Sequence, residues 1–311
     1  MTLFSLLKML GLKSELDELL YLSKELDIDS LKPIVARKIT SVLGYQISMW
    51  NNFTAPVLYR ARKHNHLEGN IGEDGLHQFT SEKEFWNTPS EYCSLGRCQS
   101  ENESLLYCST SWETAISEIR PELDDYISIS IYHAQPSIEN PNAFLGSRII
   151  PVGVKYLSKI ERLEHMFENY DFNGRSLEFF ELDNFLDELF HKNVDETNKY
   201  LYKLSVAVTK CMMTNLYDGE VERQMHGMIY SSMIRDKSDY NIVLRPNHAR
   251  TIYNLHQVQT FHVDSVEAKK VSLKLKRNGM TIGVKQNRFD YFNIEWFNED
   301  SGNVSEQIDL I

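Results

Sequence analysis

The chain has 311 residues, 42% of them apolar and 25% charged, which is an ordinary globular balance with room for one large core or two modest ones. A formal net charge of -11 argues against a surface built to grip nucleic-acid phosphates. No run of the sequence approaches the roughly eighteen apolar residues that a membrane-spanning helix needs. Cys93, Cys98, Cys108 and Cys211 form no C-x-x-C pair, so free thiols in a reduced, cytoplasmic compartment are expected, with no metal site. The apolar start is broken by Lys8 and lacks a small-residue cleavage site, unlike a secretory signal.

In chain order, residues 1–52 read as a helical N-terminal extension. Ser14 is expected to open a helix carrying Leu16, Leu19, Leu20 and Tyr21, and a second helix is expected to start at Pro33 and stop at Gly44. Val57 to Arg60 reads as a short strand, and Asn65 to Thr80, with its three glycines, as a long loop. The run Gly96–Pro121 holds the densest chemistry. Leu105, Leu106 and Tyr107 follow a polar stretch as a buried strand would, and Thr110 with Glu113 has the capping-box spacing that opens a helix. That helix turns Ala115 and Ile116 to a core and carries Glu118, so Arg97, Tyr107 and Glu118 come to one edge of a sheet.

Further on, Ile127, Ile129 and Ile131 alternate with serines as a half-buried strand, and Ile149–Val154 is apolar throughout. From Leu177 to Phe190 an aromatic and leucine stripe reads as core, with a second buried helix over Leu201–Met213. Met228–Ser232 and Tyr240–Leu244 are short strands. Beyond Pro246 the pattern turns to β, with Asn278-Gly279 predicted as the type I′ turn of a hairpin and Phe289–Phe297 as an aromatic strand. No dinucleotide or P-loop glycine motif occurs, and His64, His66 and Asp74 read as a solvated loop cluster rather than a metal site.

Gly96-Arg97, Leu106-Tyr107-Cys108-Ser109 and Glu113-Thr114-Ala115-Ile116-Ser117-Glu118-Ile119-Arg120-Pro121 together resemble the signature of the RES domain family. Tyr59-Arg60-Ala61-Arg62 is similar to the arginine-bearing strand that opens that domain, and Gly227–Ser232 to its late Gly-Ile-x-Tyr-x-Ser segment. His226 stands where the family usually has an acidic residue. The resemblance implies an α+β fold: an ADP-ribosyltransferase-like split antiparallel sheet with flanking helices over residues 53–246, including a helix-rich insert at about 159–192. Residues 247–311 would then form a β-rich C-terminal extension.

The resemblance also implies an enzyme that consumes NAD, cleaving the nicotinamide–ribose bond by hydrolysis or by phosphorolysis with inorganic phosphate. Such an enzyme would act as a toxin or defence effector, with a helix-turn-helix antitoxin as partner, no cofactor beyond NAD as substrate, and no nucleic acid or membrane. In this reading Glu118 stabilises the cationic ribose, Arg97 and Arg60 hold the phosphates, and Tyr107 shapes the nicotinamide-ribose pocket. Ser232, with Ser231 as its alternative, positions the leaving amide or the nucleophile. The physics suits these residue types, because a base that leaves already cationic needs charge stabilisation at the sugar more than a strong acid. The competing readings are protein mono-ADP-ribosylation at the same site, and a non-catalytic interaction protein with a vestigial pocket.

Overall fold

The computed structural model describes residues 3–43, 50–64, 82–137, 140, 143–168, 175–213, 225–232, 239–267, 270–281, 294–297 and 305–309. Two helices open the chain, α1 (Leu3–Glu25) and α2 (Ile28–Leu43). Leu12, Leu16 and Leu19 of α1 are buried, as are Leu31, Val35 and Ile39 of α2, so each helix presents one apolar stripe. Neither helix starts where the sequence suggested. Ser14 lies inside α1, and Pro33 inside α2, where it leaves the carbonyl of Asp29 without its helical donor. Packing of the stripes outweighs both local start signals.

The strands are β1 (Trp50–Phe53), β2 (Val57–His64), β3 (Leu106–Ser109), β4 (Tyr126–Ala134), β5 (Ser147–Val152), β6 (Gly227–Ser231), β7 (Tyr240–Leu244), β8 (Tyr253–Glu267), β9 (Lys270–Thr281), β10 (Ile294–Phe297) and β11 (Ser305–Asp309). Between them lie α3 (Trp112–Glu118), α4 (Val154–Leu157), α5 (Glu164–Phe167), α6 (Leu177–His191), α7 (Tyr200–Met213) and α8 (Pro246–Ile252). The protein is thus mixed α+β around one large, mostly antiparallel sheet in the order β1-β5-β6-β7-β3-β2-β4-β8-β9-β10, with β11 also on β9. Only β5 and β6 run parallel among the described pairs.

The join between β3 and β2 is the weak point of this sheet. Whereas β2 pairs with β4 along its full length, it meets β3 at one described position, Tyr59 opposite Ser109. That pair joins two groups of strands, here called half-sheets: β1, β5, β6, β7 and β3 on one side, and β2, β4 and the later strands on the other.

The later strands correct one sequence expectation. Asn278 and Gly279 do not turn the chain. They sit within β9, opposite Gln259 and Val258 of β8 and opposite Phe297 and Trp296 of β10. A continuous ladder on both sides overrides a two-residue turn preference. The chain reverses instead between Glu267 and Lys270, which pair with each other. The expected loop over 65–80, and with it His66 and Asp74, lies outside the described residues, as does the start of the strand expected from Phe289.

Both faces of the sheet are covered. Ile127 and Ile129 of β4 pack with Ile116 of α3 and with Phe261, Val263, Val271 and Leu273 of β8 and β9. On the other face Leu58, Tyr132, Leu255 and Val258 join the main core with Phe85 and Trp86. The serines between the isoleucines of β4, expected at a solvated face, are buried, and Ser128 bridges His64 and Thr260 through its hydroxyl. The helices α1, α2, α6 and α7 form a layer of their own, α1 lying on α6 and α7 and α2 on α7.

One corner of this core carries a pH dependence. The rings of His226 and His248 stack 3.5 Å apart, with Arg148 alongside and Ser147 Oγ 3.0 Å from His248 Nε2. Burial, with the second ring and Arg148, lowers the pKa of His248 from 6.5 to about 3, and burial beside Arg148 and Arg245 lowers that of His226 to about 4. Both folded values lie below the unfolded one, so this contribution is complete above pH 6.5 and is lost as pH falls from 6.5 to about 4 for His226 and to about 3 for His248. Thermal midpoints measured between pH 4 and 7 are expected to fall with acidity, and His248→Asn is expected to flatten that slope. An unchanged slope in the variant would remove the pair as its source.

Candidate active site

α3 is built to present its last residue. Its N-cap is Ser111, one position after the expected Thr110, with Ser111 Oγ accepting from the Thr114 amide at 3.2 Å. Beneath that first turn the buried carboxylate of Asp239 accepts from Ser111 Oγ at 2.9 Å, Thr114 Oγ1 at 3.2 Å and Thr110 Oγ1 at 3.3 Å, with Arg162 Nη1 at 3.4 Å. Ala115, Ile116 and Ser117 are buried, so the helix is fixed at its start and along its flank. It ends at Glu118, Ile119 caps it, and Arg120 follows in a left-handed conformation at φ 47° before Pro121. Glycine is the usual residue for that backbone.

Glu118 projects into a cleft of about 800 Å³ whose walls include Arg97, Tyr107, His191, Tyr202, Tyr230 and Asn241. A second, smaller recess of about 90 Å³ reaches the same glutamate from the side of Tyr59 and Arg60, at the join between the half-sheets. The carboxylate is exposed to the cleft but held on one side. Asn241 Nδ2 donates to Glu118 Oε1 at 2.7 Å and Ser232 Oγ donates to the same oxygen at 3.2 Å. Asn241 is itself oriented by Ser109, whose hydroxyl donates to its amide oxygen at 2.5 Å. Ser109, Asn241 and Ser232 are all buried, so this relay fixes the position of one carboxylate oxygen and leaves the other to the cleft.

The remaining expected residues are placed as follows. Arg60 borders the smaller recess, its Nη2 donating to Thr88 Oγ1 at 3.2 Å. Tyr107 borders both spaces. Its hydroxyl accepts from the Cys98 amide at 2.8 Å, and burial raises its pKa well above the ordinary phenol value. Arg97 lines the cleft, but its guanidinium donates to the carbonyls of Phe190, Leu189 (3.5 Å) and Lys192 (3.3 Å), closing the C-terminal end of α6. Ser232 reaches Glu118, while Ser231 lines the cleft with its hydroxyl bonded to Asp187 and His191 of α6.

Sequence reading missed two groups. Asn241 lies 123 residues from Glu118, so only the pairing of β3 with β7 could reveal it. The second is Asp187, His191 and Ser231. His191 Nδ1 lies 3.1 Å from Asp187 Oδ1, His191 Nε2 lies 2.8 Å from Ser231 Oγ, and that hydroxyl is 3.3 Å from Asp187 Oδ1. The i,i+4 spacing of Asp187 and His191 was the available signal, hidden within an apolar stripe. These three groups satisfy one another and fasten the end of α6 to the end of β6. Nearby, Asp183 accepts from the amides of Gly153, Val154 and Lys155 at the start of α4.

On the cleft wall, Ser117 Oγ is buried and has no hydrogen-bond partner among the described residues. The cysteines are buried free thiols. Burial raises Cys98 to about 11 and Cys108 to about 12, so neither is a ready nucleophile. Among the described residues no group of three or more His, Cys, Asp or Glu could hold a metal, and no helix is long and apolar enough to cross a membrane. No family model, curated protein or solved structure matches this chain.

Proposed function

We propose that this protein cleaves the nicotinamide–ribose bond of NAD, with Glu118 stabilising the cationic sugar as the bond opens. The observation that carries this reading is the placement of the Glu118 carboxylate. It stands at the head of a cleft large enough for a dinucleotide, one oxygen fixed by Asn241 and Ser232 and the other free to face a ribose. The single-pair join between the half-sheets supports an ADP-ribosyltransferase-like architecture, with the reacting sugar beside that join. Tyr107, Tyr202 and Tyr230 line the cleft that would receive the flat nicotinamide and adenine, and the Ser117 hydroxyl, without a partner among the described residues, offers a hydrogen bond to an incoming polar group.

The chemistry asks little of the protein beyond positioning. The C–N bond breaks with its electron pair going to the ring nitrogen, so nicotinamide leaves neutral and positive charge develops on the ribose. A carboxylate held near that charge, and preorganised before reaction, lowers the barrier without a proton transfer to the leaving group. Water or phosphate then adds to the anomeric carbon. Incubating the purified protein with NAD, with and without phosphate, tests the reading. Free nicotinamide with ADP-ribose or its 1″-phosphate supports it, label on protein points to ADP-ribosyl transfer, and intact NAD sinks it.

A further inference from the structure

Resting on that reading, we infer that Arg120, rather than Arg97, receives the diphosphate of the dinucleotide at this cleft. Three observations converge on it. First, the guanidinium of Arg97 is directed at three carbonyl oxygens at the end of α6. Drawing it onto a ligand would leave those carbonyls without their donor, which opposes the exchange. Second, Arg120 is exposed at the cleft two residues after Glu118, and its Nη2 donates to the neutral side-chain oxygen of Asn193, also exposed and also on the cleft wall. Exchanging a neutral amide for the diphosphate, with one negative charge on each phosphate, strengthens each hydrogen bond, and a guanidinium can fork onto two phosphate oxygens at once.

Third, Arg120 occupies a backbone position that disfavours it. At φ 47°, immediately after the cap of α3, glycine would fit without strain, whereas an L side chain is disfavoured there. A residue kept in such a conformation beside a cleft is a candidate for function. The same backbone, followed by Pro121, sets the direction in which the arginine leaves the helix end. Glu118 at the ribose and Arg120 at the phosphates would then lie one helix end apart, matching the adjacency of those groups in the ligand.

Arg120→Gly makes a discriminating variant because it suits the backbone. It is expected to keep or raise the thermal midpoint, to raise KM for NAD about ten- to a hundredfold, the scale of losing hydrogen bonds to a charged group, and to leave kcat within a few-fold. With nicotinamide riboside, which has the same scissile bond and no phosphate, the variant and its parent are expected to behave alike. Asn193→Asp, which offers Arg120 a competing carboxylate, is expected to raise KM for NAD as well, while Arg97→Ala is expected chiefly to lower the thermal midpoint. An unchanged KM for NAD in Arg120→Gly, or an equal rise with the riboside, overturns this assignment while leaving NAD cleavage standing. A parent protein that releases no nicotinamide overturns both.

Discussion

Glu118→Gln is expected to lose at least about two orders of magnitude in nicotinamide release from NAD while melting within a few degrees of the parent protein. The substitution keeps the shape of the side chain and leaves an amide oxygen that can still accept from Asn241 Nδ2 and Ser232 Oγ, the two donors that hold it. What it removes is the negative charge that, on the proposed mechanism, faces the developing cation. The fold does not depend on that charge, because Glu118 is exposed and α3 is anchored at its other end. Turnover by product chromatography and a thermal melt together decide the matter. Near-parent turnover would take Glu118 out of the reaction, and a large drop in midpoint would make its role structural.

Asp239→Ala is expected to destabilise the fold by about 1.5–3 kcal/mol, the range for losing buried hydrogen bonds to a charged group. The carboxylate is 5% exposed and gathers the hydroxyls of Thr110, Ser111 and Thr114 together with Arg162. Without it, the Thr114 hydroxyl loses its acceptor and those of Thr110 and Ser111 fall back on the Tyr240 carbonyl and Thr114 Oγ1, while Arg162 is exposed enough to be rehydrated. The loss is local to the turn that aims Glu118. Activity is therefore expected to fall in the variant even under conditions where most molecules remain folded. Chemical denaturation gives the stability change, and a shift below about 1 kcal/mol would mean that Ser111 alone carries the cap.

The two predictions separate what was legible in the sequence from what was not. The stripes of α1, α2, α6 and α7 and the strands on either side of Gly96–Pro121 follow from residue period, because amphipathic spacing and burial express the same constraint. So does the placement of Arg97, Tyr107 and Glu118 around one cleft, which needed only a strand, a turn and a short helix. Boundaries were less visible. Ser14, Pro33, Thr110 and Asn278-Gly279 all carry local signals worth about 1 kcal/mol or somewhat more, and in each case packing or a sheet ladder overruled them. Partners brought in from a distance were not visible at all. Asn241 and Asp239 lie more than a hundred residues from the helix they serve, and nothing in their neighbourhood marks them.

The half-sheets meet at one pair, Tyr59 with Ser109, and the same Ser109 steadies Asn241 and through it Glu118. A dinucleotide touching Arg60 on one arm and Tyr107 on the other would act as a rivet across that seam. Its occupancy would register as resistance to heat and to amide exchange at residues it never contacts, along both arms at once. On the proposed reading, the substrate would itself help to keep this sheet in one piece.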